Sequence, residues 1–292
     1  MTAKNPFLRK KKRQFMATNT TTGISFRAPL NFAEISSQLN EAGWGRDKLT
    51  QEIEGAFCNI GVSFLNLKPY FELLIKATEI FSDASELLSW STLDGLIACS
   101  LFGRAAGCFL GAVRLSCSGQ LTETWVLLRA CLENSLYAFY IFKNPKRAEI
   151  WIDRHKDEGS KQKCKETFLI RNIWDELKAK SPSIAREMKD FYNKSIDWGA
   201  HPNERSLSPN LVGKQDGSGF QLRIVNPDPE FMRATVIATL ITSSVVFRVF
   251  SLVFPDMLSH PNLNVKIQNL NQQSKPLMFE VARQLRKLTK HK

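Results

Sequence analysis

Histidine is scarce in this chain of 292 residues, which has only four. The four histidines lack the spacing of a metal-binding motif, and none of the six cysteines forms a Cys-x-x-Cys pair. The glycine-rich motifs of nucleotide-binding proteins and the nucleophile motifs of common hydrolases are missing as well. We therefore expect no metal, no cofactor and no disulfide framework, and this use of cysteine favours a cytoplasmic location.

Long uncharged apolar runs are also missing. Arg104 and Arg114 interrupt the apolar segment 92–117, and the uncharged segment 234–247 is short. A membrane-spanning helix needs about 20 predominantly apolar residues. The basic start of the chain is followed by a polar stretch, which is unlike a signal peptide. The sequence thus predicts no integral membrane association.

Positive charge is concentrated at the two ends. The formal net charge is +12, but residues 1–13 hold six basic residues and no acidic one, and residues 275–292 hold six basic residues and one acidic one. Residues 14–274 therefore carry a net charge of only +1. This distribution does not predict a basic groove on the folded body. The ends are either solvated charge or a salt-sensitive contact for nucleic acid or acidic lipid.

Helical periodicity dominates the rest of the chain. Apolar residues at spacings of three and four predict an all-α fold, with one bundle of about seven to nine helices. We expect a disordered basic tail over residues 1–30, the helical bundle over 31–258, and an irregular segment with a basic amphipathic helix over 259–292. Glycine and proline predict a long loop over residues 199–228, with a short strand within 220–225.

Small residues form a regular stripe in segment 92–117. They recur every four residues and are Gly95, Cys99, Gly103, Gly107 and Gly111. Glycine inside a helix costs about 1 kcal/mol relative to alanine. The stripe therefore predicts that another helix packs closely against this face.

Segment 120–142 is apolar on nearly all sides, which predicts a central, buried helix. On it, Thr122, Arg129, Glu133 and Tyr140 fall within one narrow polar stripe. Arg129 and Glu133 are four residues apart and can pair directly. Buried charge is unfavourable unless it is paired and hydrogen-bonded. The pair is therefore either a structural salt bridge or part of a polar pocket for a ligand.

His201 is the second candidate for a functional residue. It lies in the segment DWGAHPN, directly after a predicted helix and before Pro202, where its ring can reach back into the bundle. Imidazole titrates near neutral pH and is suited to general acid–base catalysis. The ring either does this work or fixes the loop by a hydrogen bond.

The segments around these candidates resemble a known group of proteins. They read RACLENSLYAFYIFKNP and FYNKSIDWGAHPN, with Trp151 between them. They are similar to a group of uncharacterised bacterial helical proteins with an Arg/Glu pair on the central helix and a later Tyr–Ser–xxx–His–Pro segment. That group resembles in turn the HEPN-like helical domains, several of which are ribonucleases in toxin or defence systems. The resemblance covers residues 90–255.

The resemblance implies a bundle that brings Arg129, Glu133 and His201 together. The nuclease motif of HEPN-like domains places an arginine shortly before its histidine. In this chain Lys194 stands nearest to that position, seven residues before His201. Lysine supplies positive charge to a phosphate but lacks the two-pronged geometry of arginine.

Two functional hypotheses follow. In the first, the protein is a defence or toxin-type component that binds or cleaves RNA, with His201 as the acid–base group, Lys194 or Arg129 as the phosphate contact, and Glu133 as the orienting residue. The candidate ligand-binding residues are Lys194, Tyr140 and Asn203. In the second, the protein is a non-enzymatic interaction module that forms a homodimer, and the Arg129–Glu133 pair is purely structural.

Overall fold

The fold is all-α, as the periodicity predicts. A computed structural model describes residues 39, 41–202, 204–207, 210–214, 217–226 and 228–290. The expected basic tail of residues 1–30 and the candidate Asn203 lie outside the described residues.

Four long helices form the first part of the described chain. They are α1 (Lys48–Asn66), α2 (Lys68–Leu87), α3 (Leu93–Ser118) and α4 (Leu121–Ile141). Shorter helices follow, namely α5 (Pro145–Ile152), a 3₁₀ turn (Asp153–His155), α6 (Glu158–Thr167), α7 (Ile170–Lys180) and α8 (Pro182–Ser195), which continues as a π-helical turn (Ile196–Ala200).

The last part of the chain begins with the predicted long loop, which contains the short helix α9 and a small antiparallel hairpin. The remaining elements are α9 (Glu204–Leu207), β1 (Leu211–Gly213), β2 (Phe220–Leu222), α10 (Pro229–Val253), α11 (Pro255–Ser259) and α12 (Pro261–Lys290). Ten of the described helices have eight residues or more, against the seven to nine expected. The number is higher because the polar region after Pro145 is divided into several helices, one of which begins where Asp157 caps α6.

Helices α3 and α4 form the centre of the bundle. They make the most extensive helix–helix contact in the described chain and are joined at Gly119. Gly119 has a left-handed φ of +89°, and a Cβ there would lie 2.7 Å from the carbonyl oxygen of Asn226. Glycine adopts this conformation readily and leaves the necessary space. α10 packs against both central helices.

Phenylalanine rings fill the core between α2, α3 and α10. Phe81 is fully buried, and its ring centre lies 5.6 Å from that of Phe102, 5.0 Å from that of Phe109 and 4.4 Å from that of Phe247. Phe102 also meets Phe250 edge-on at 4.9 Å. Aromatic pairs of this kind add to the stabilisation from burial. The three helices are therefore held together at one compact aromatic cluster.

The chain after residue 258 differs from the expected irregular segment. Pro261–Lys290 is one helix, α12, and its first half packs against α2 and α10. Leu263, Ile267 and Leu270 are buried there, at spacings of four and three. Asparagine and glutamine residues between them obscure this apolar stripe in the sequence. This part of the chain therefore belongs to the bundle.

The two most apolar helices are α3 and α10. By length and composition alone, both are long and apolar enough to span a membrane, with mean hydropathies of 1.7 and 2.0 over their most apolar stretches. Neither the two arginines of segment 92–117 nor the shortness of the uncharged segment 234–247 prevents this, and the absence of integral membrane association stays a prediction. Within the bundle, 50% of this apolar stretch is buried in α3 and 72% in α10. Packing in the core accounts for much of their apolar character.

The small residues of α3 make only part of the predicted close contact. A Cβ on Gly111 would lie 2.8 Å from Cδ1 of Leu127 in α4, whereas a Cβ on Gly107 would meet no atom within 4 Å. A spacing of four drifts around a helix of 3.6 residues per turn, so the stripe changes its surroundings along α3: Gly107 is exposed, and Gly111, one turn later, meets α4. The prediction of close packing is right at Gly111 and wrong at Gly107.

Replacing Phe81 with alanine is expected to lower the free energy of unfolding by about 3–5 kcal/mol, because the change leaves a cavity in the aromatic core. Phe220→Ala is the matched control, since Phe220 is 75% exposed on β2. Its effect is expected to stay within about 0.5 kcal/mol. Denaturant unfolding followed by circular dichroism measures both, and equal losses would contradict the assignment of Phe81 to the core.

Candidate functional site: the Arg129 cluster

Two charged residues one turn apart on α4 form the centre of the site. Nε of Arg129 donates a hydrogen bond to Oε1 of Glu133 at 2.8 Å. Residues four apart lie on the same face of a helix. The pair therefore meets directly, as its spacing predicts.

Tyr192, in the last turn of α8, joins this pair. Its hydroxyl accepts a hydrogen bond from Nη2 of Arg129 at 3.1 Å and donates one to Oε1 of Glu133 at 3.2 Å. The guanidinium carbon of Arg129 also lies 5.1 Å from the centre of the Tyr192 ring. The three side chains thus close a hydrogen-bonded ring that ties α8 to α4.

His201 reaches the same arginine from the chain that follows α8. Nη1 of Arg129 lies 3.1 Å from Nε2 of His201. A guanidinium group has only N–H donors, so Nε2 accepts this hydrogen bond and the ring hydrogen of the neutral imidazole lies on Nδ1. We refer to Arg129, Glu133, Tyr192 and His201 as the Arg129 cluster.

The Arg129 cluster is open to solvent, contrary to the expectation that α4 is buried on all sides. The side chains of Arg129 and Glu133 are 23% and 37% exposed, and His201 is exposed. Val126 on the same helix is 48% exposed. Partial exposure reduces the desolvation penalty of the charged pair. It also leaves the cluster within reach of a ligand in solution.

The surroundings shift the pKa of two members of the cluster. Burial raises the pKa of Tyr192, and the negative charge of Glu133 raises it further, against the opposing effect of Arg129. Burial by itself lowers the pKa of Arg129, but the hydrogen bond and the charge of Glu133 outweigh this, so that the pKa of Arg129 is raised. Near neutral pH, Tyr192 is therefore a neutral phenol and Arg129 a cation.

The π-helical turn after α8 brings His201 back towards α4. Such wider turns are frequent at functional sites. A Cβ on Gly199, in this turn, would lie 2.2 Å from the carbonyl oxygen of Thr122 and 2.8 Å from Cβ of Trp125. Only glycine fits this close to the backbone of α4. Gly199 therefore determines how near His201 can come to Arg129.

Further contacts fasten this part of the chain to the first turns of α4. The hydroxyl of Thr122 donates to the carbonyl oxygen of Ser206 at 2.9 Å, and the amide of Asn210 donates to the same hydroxyl at 3.4 Å. The indole rings of Trp125 and Trp198 stack, with their centres 6.5 Å apart and 22° between their planes. The π-helical turn and the loop after it are thus both held against α4.

Tyr140, one of the predicted ligand-binding residues, does not join the cluster. Its hydroxyl donates to the carbonyl oxygen of Thr167 at 3.0 Å, and the guanidinium carbon of Arg147 lies 3.6 Å from its ring centre. About three turns of helix separate Tyr140 from Arg129. Tyr140 thus shares the polar stripe of α4 with Arg129 but contacts other parts of the chain.

Lys194, the second predicted ligand-binding residue, lies on the exposed side of α8. Its Nζ pairs with Oδ2 of Asp190 at 2.7 Å. Lys194 follows Tyr192 by only two positions, and residues so spaced do not share a helix face. The structure therefore brings together Arg129, Glu133 and His201 but places Lys194 elsewhere.

Tyr192 and Trp198 are not among the site residues that the sequence predicts. Both lie in the segment FYNKSIDWGAHPN, which carries the resemblance stated above, and its tyrosine was the available signal for Tyr192. The sequence pattern does not predict the π-helical turn that places Trp198 beside Trp125.

Two other kinds of site were sought among the described residues, namely a metal site and a cleft. Among the described residues, no group of three or more His, Cys, Asp or Glu side chains is placed to hold a metal ion. A cleft of about 390 Å³ opens beside α5 and α6, and it is lined by Lys146, Glu149, Ile150, Asp153, Ser160 and Lys163. These residues mix both signs of charge and include no member of the Arg129 cluster. The cluster is therefore the stronger candidate site.

The fold and the cluster define a helical protein with a polar site between its central helix and the end of a neighbouring helix. Residues 95–212 match a protein family of unknown function, DUF5677. The matched region contains all four residues of the Arg129 cluster. No curated protein and no solved structure gives a match. The resemblance to HEPN-like domains is not among these findings.

Replacing Gly199 with alanine is expected to lower the free energy of unfolding by about 1–3 kcal/mol, because the added methyl group overlaps the Thr122 carbonyl oxygen. Gly107→Ala is the matched control, since Gly107 has open space around it in the middle of α3. That change is expected to stabilise the protein by up to about 1 kcal/mol. Chemical unfolding measures both, and a neutral Gly199→Ala would argue against the close approach.

Replacing Tyr192 with phenylalanine is expected to change how stability depends on alkaline pH. Below pH 10 the tyrosine is protonated in both states, and because its folded pKa is raised, the unfolded chain loses its proton first as the pH rises above 10. Stability therefore falls above that pH until the folded pKa is passed. The variant should lose less stability over this range than the wild type. Identical curves would show that Tyr192 makes no such contribution.

Proposed function

We propose that the protein binds RNA at the Arg129 cluster and cleaves it, as a component of a bacterial defence or toxin system. The observation that carries the proposal is the 3.1 Å contact between Nη1 of Arg129 and Nε2 of His201 in a part of the molecule open to solvent. An arginine beside a histidine offers the two chemical functions that RNA cleavage needs, namely charge stabilisation at the phosphate and proton transfer.

Arg129 is suited to hold a phosphate group. A guanidinium group has five N–H donors, and three nitrogens of Arg129 each donate one within the protein. One N–H on Nη1 and one on Nη2 are left for two phosphate oxygens. Arginine commonly binds phosphate in this bidentate manner. Glu133 and Tyr192 hold the guanidinium in position and act as positioning residues.

His201 supplies the proton transfer in this proposal. With the phosphate on these two N–H groups, the ribose 2′-hydroxyl displaces Nη1 of Arg129 from Nε2 of His201, and Nε2 then accepts the hydroxyl proton. The 2′-oxygen attacks the neighbouring phosphorus, the bond to the 5′-oxygen breaks, and that oxygen takes a proton from water. The products are a 2′,3′-cyclic phosphate end and a 5′-hydroxyl end. Lys194 has no part in this scheme, since it pairs with Asp190.

A second candidate function is that of a non-enzymatic, self-associating module. It is favoured by α1, where large apolar side chains are unusually exposed: Leu49 by 69%, Ile53 by 46%, Val62 by 54% and Leu65 by 76%. Exposed apolar surface of this kind is common at protein interfaces. Analytical ultracentrifugation distinguishes a monomer from a dimer, and a dimer that is abolished by Leu65→Lys would support this role.

The nuclease proposal is tested with a labelled single-stranded RNA and the His201→Ala variant. Removal of a general acid–base is expected to slow cleavage about 10²- to 10⁴-fold. Binding of the RNA should persist, because Arg129 is retained. His155→Ala is the matched control, since His155 is exposed on the 3₁₀ turn after α5 and should leave cleavage unchanged.

Equal cleavage by wild type and His201→Ala, or cleavage by neither, would remove this mechanism. Arg129→Lys adds a second test, because lysine keeps the charge but cannot contact three partners with a planar fork. Deletion of residues 1–13 removes six positive charges. If RNA binding vanishes with this deletion while Arg129→Lys has no effect, the contact lies in the basic end.

A further inference from the structure

The stacked indole rings belong to a longer row of side chains. Trp125, Arg129 and Glu133 are spaced by four residues, so they lie along one face of α4 at steps of about 6 Å. The chain from α8 onwards supplies a neighbour for each. The pairs are Trp198 beside Trp125, His201 beside Arg129, and Tyr192 beside Glu133. An aromatic pair thus adjoins the proposed phosphate contact.

Trp198 is not used to build the core. Trp125 packs partly against a small apolar cluster of Ala112, Leu128 and Ala238, whereas Trp198 belongs to neither apolar cluster of the described chain. Both indoles are partly exposed. A large aromatic ring outside the core, stacked on a second ring that stands one turn from Arg129 on α4, is suited to the stacking of nucleic acid bases.

We propose that Trp198, backed by Trp125, is a stacking platform for an unpaired RNA base whose own phosphate lies on Arg129. This inference rests on the proposed function and names its substrate class, which is single-stranded RNA. Bases inside a duplex are stacked on one another and do not offer a free face, whereas unpaired bases can be splayed onto aromatic side chains. Every base has such a face, so the platform tolerates any sequence.

The spacing and the charge of the region agree with this assignment. One helical turn separates the backbone positions of Trp125 and Arg129, and Trp198 stacks on Trp125, so the proposed base contact and the proposed phosphate contact adjoin successive turns of α4. Residues 14–274 carry a net charge of only +1, so the body of the protein offers little general attraction for the RNA backbone. Stacking supplies binding energy that does not depend on net charge.

The test compares binding of a fluorescent oligouridine RNA to the full chain and to three variants. Trp198→Leu keeps an apolar side chain but removes the aromatic face, and its affinity should fall roughly five- to 150-fold, the range expected from loss of one stacked base. Trp198→Phe should keep most of the affinity. Trp44→Leu is the matched control, since Trp44 lies before α1, and should bind like the wild type.

A second RNA with the same backbone but abasic sites separates stacking from a structural role of the indole. The wild type should bind the abasic RNA more weakly than the intact RNA, and Trp198→Leu should show no such preference. This comparison also works on the wild type alone, so the test does not depend on the folding of a variant. Thermal unfolding of Trp198→Leu close to that of the wild type would confirm that the fold is kept.

The outcomes distinguish this inference from the function on which it rests. Equal affinity of the wild type for intact and abasic RNA, with weaker binding by Arg129→Lys, overturns the platform and leaves RNA binding at Arg129 in place. Binding of duplex RNA as tightly as single-stranded RNA also overturns the platform. A wild type that does not bind RNA, or that binds equally well after Arg129→Lys, overturns both.

Discussion

The guanidinium group of Arg129 is the interaction on which the arrangement of the site depends. It joins Glu133 on its own helix, Tyr192 on α8 and His201 on the loop that follows, each through a different nitrogen. The planar guanidinium presents these donors on three separate nitrogens in a fixed geometry, which the single ammonium nitrogen of a lysine does not reproduce. Because Glu133 balances its charge and solvent reaches both side chains, the arginine is held firmly without the full penalty of a buried ion.

The reach of His201 depends on the backbone as much as on side-chain chemistry. The π-helical turn lets the chain leave α8 and run against the first turn of α4, and Gly199 allows the two backbones to approach. Thr122 then holds the following loop through Ser206 and Asn210. A site of this kind is preorganised, since its histidine and arginine are placed by the fold before any ligand binds.

Periodicity predicts much of this fold, and its failures have physical causes. The all-α class and the Arg129–Glu133 pair follow from the spacing of side chains within one helix. The spacing of residues within α4 does not reveal which other helices pack against each of its faces. The polar stripe therefore predicts Tyr140 in the site, whereas the Tyr140 hydroxyl binds the carbonyl oxygen of Thr167. The basic amphipathic helix expected within residues 259–292 is the second half of α12, whereas its first half is helical rather than irregular, because polar amides separate the buried leucine and isoleucine side chains there. Trp198 depends on a non-standard turn, which a helical period cannot reveal, and the role of Tyr192 depends on which helix packs against α8.

Under the proposed role, most of the net positive charge and the reacting groups lie in different segments of the chain. Basic residues are concentrated in residues 1–13 and 275–292, and residues 14–274 between them are nearly neutral. Contacts with the phosphate backbone weaken with salt in proportion to their number, so any contribution of these ends is salt-sensitive. The Arg129 cluster contacts a single phosphate in this scheme, and stacking on Trp198 hardly responds to salt. Under the proposed role, the salt-sensitive part of RNA binding and the selection of an unpaired base at the Arg129 cluster would therefore rest on different forces.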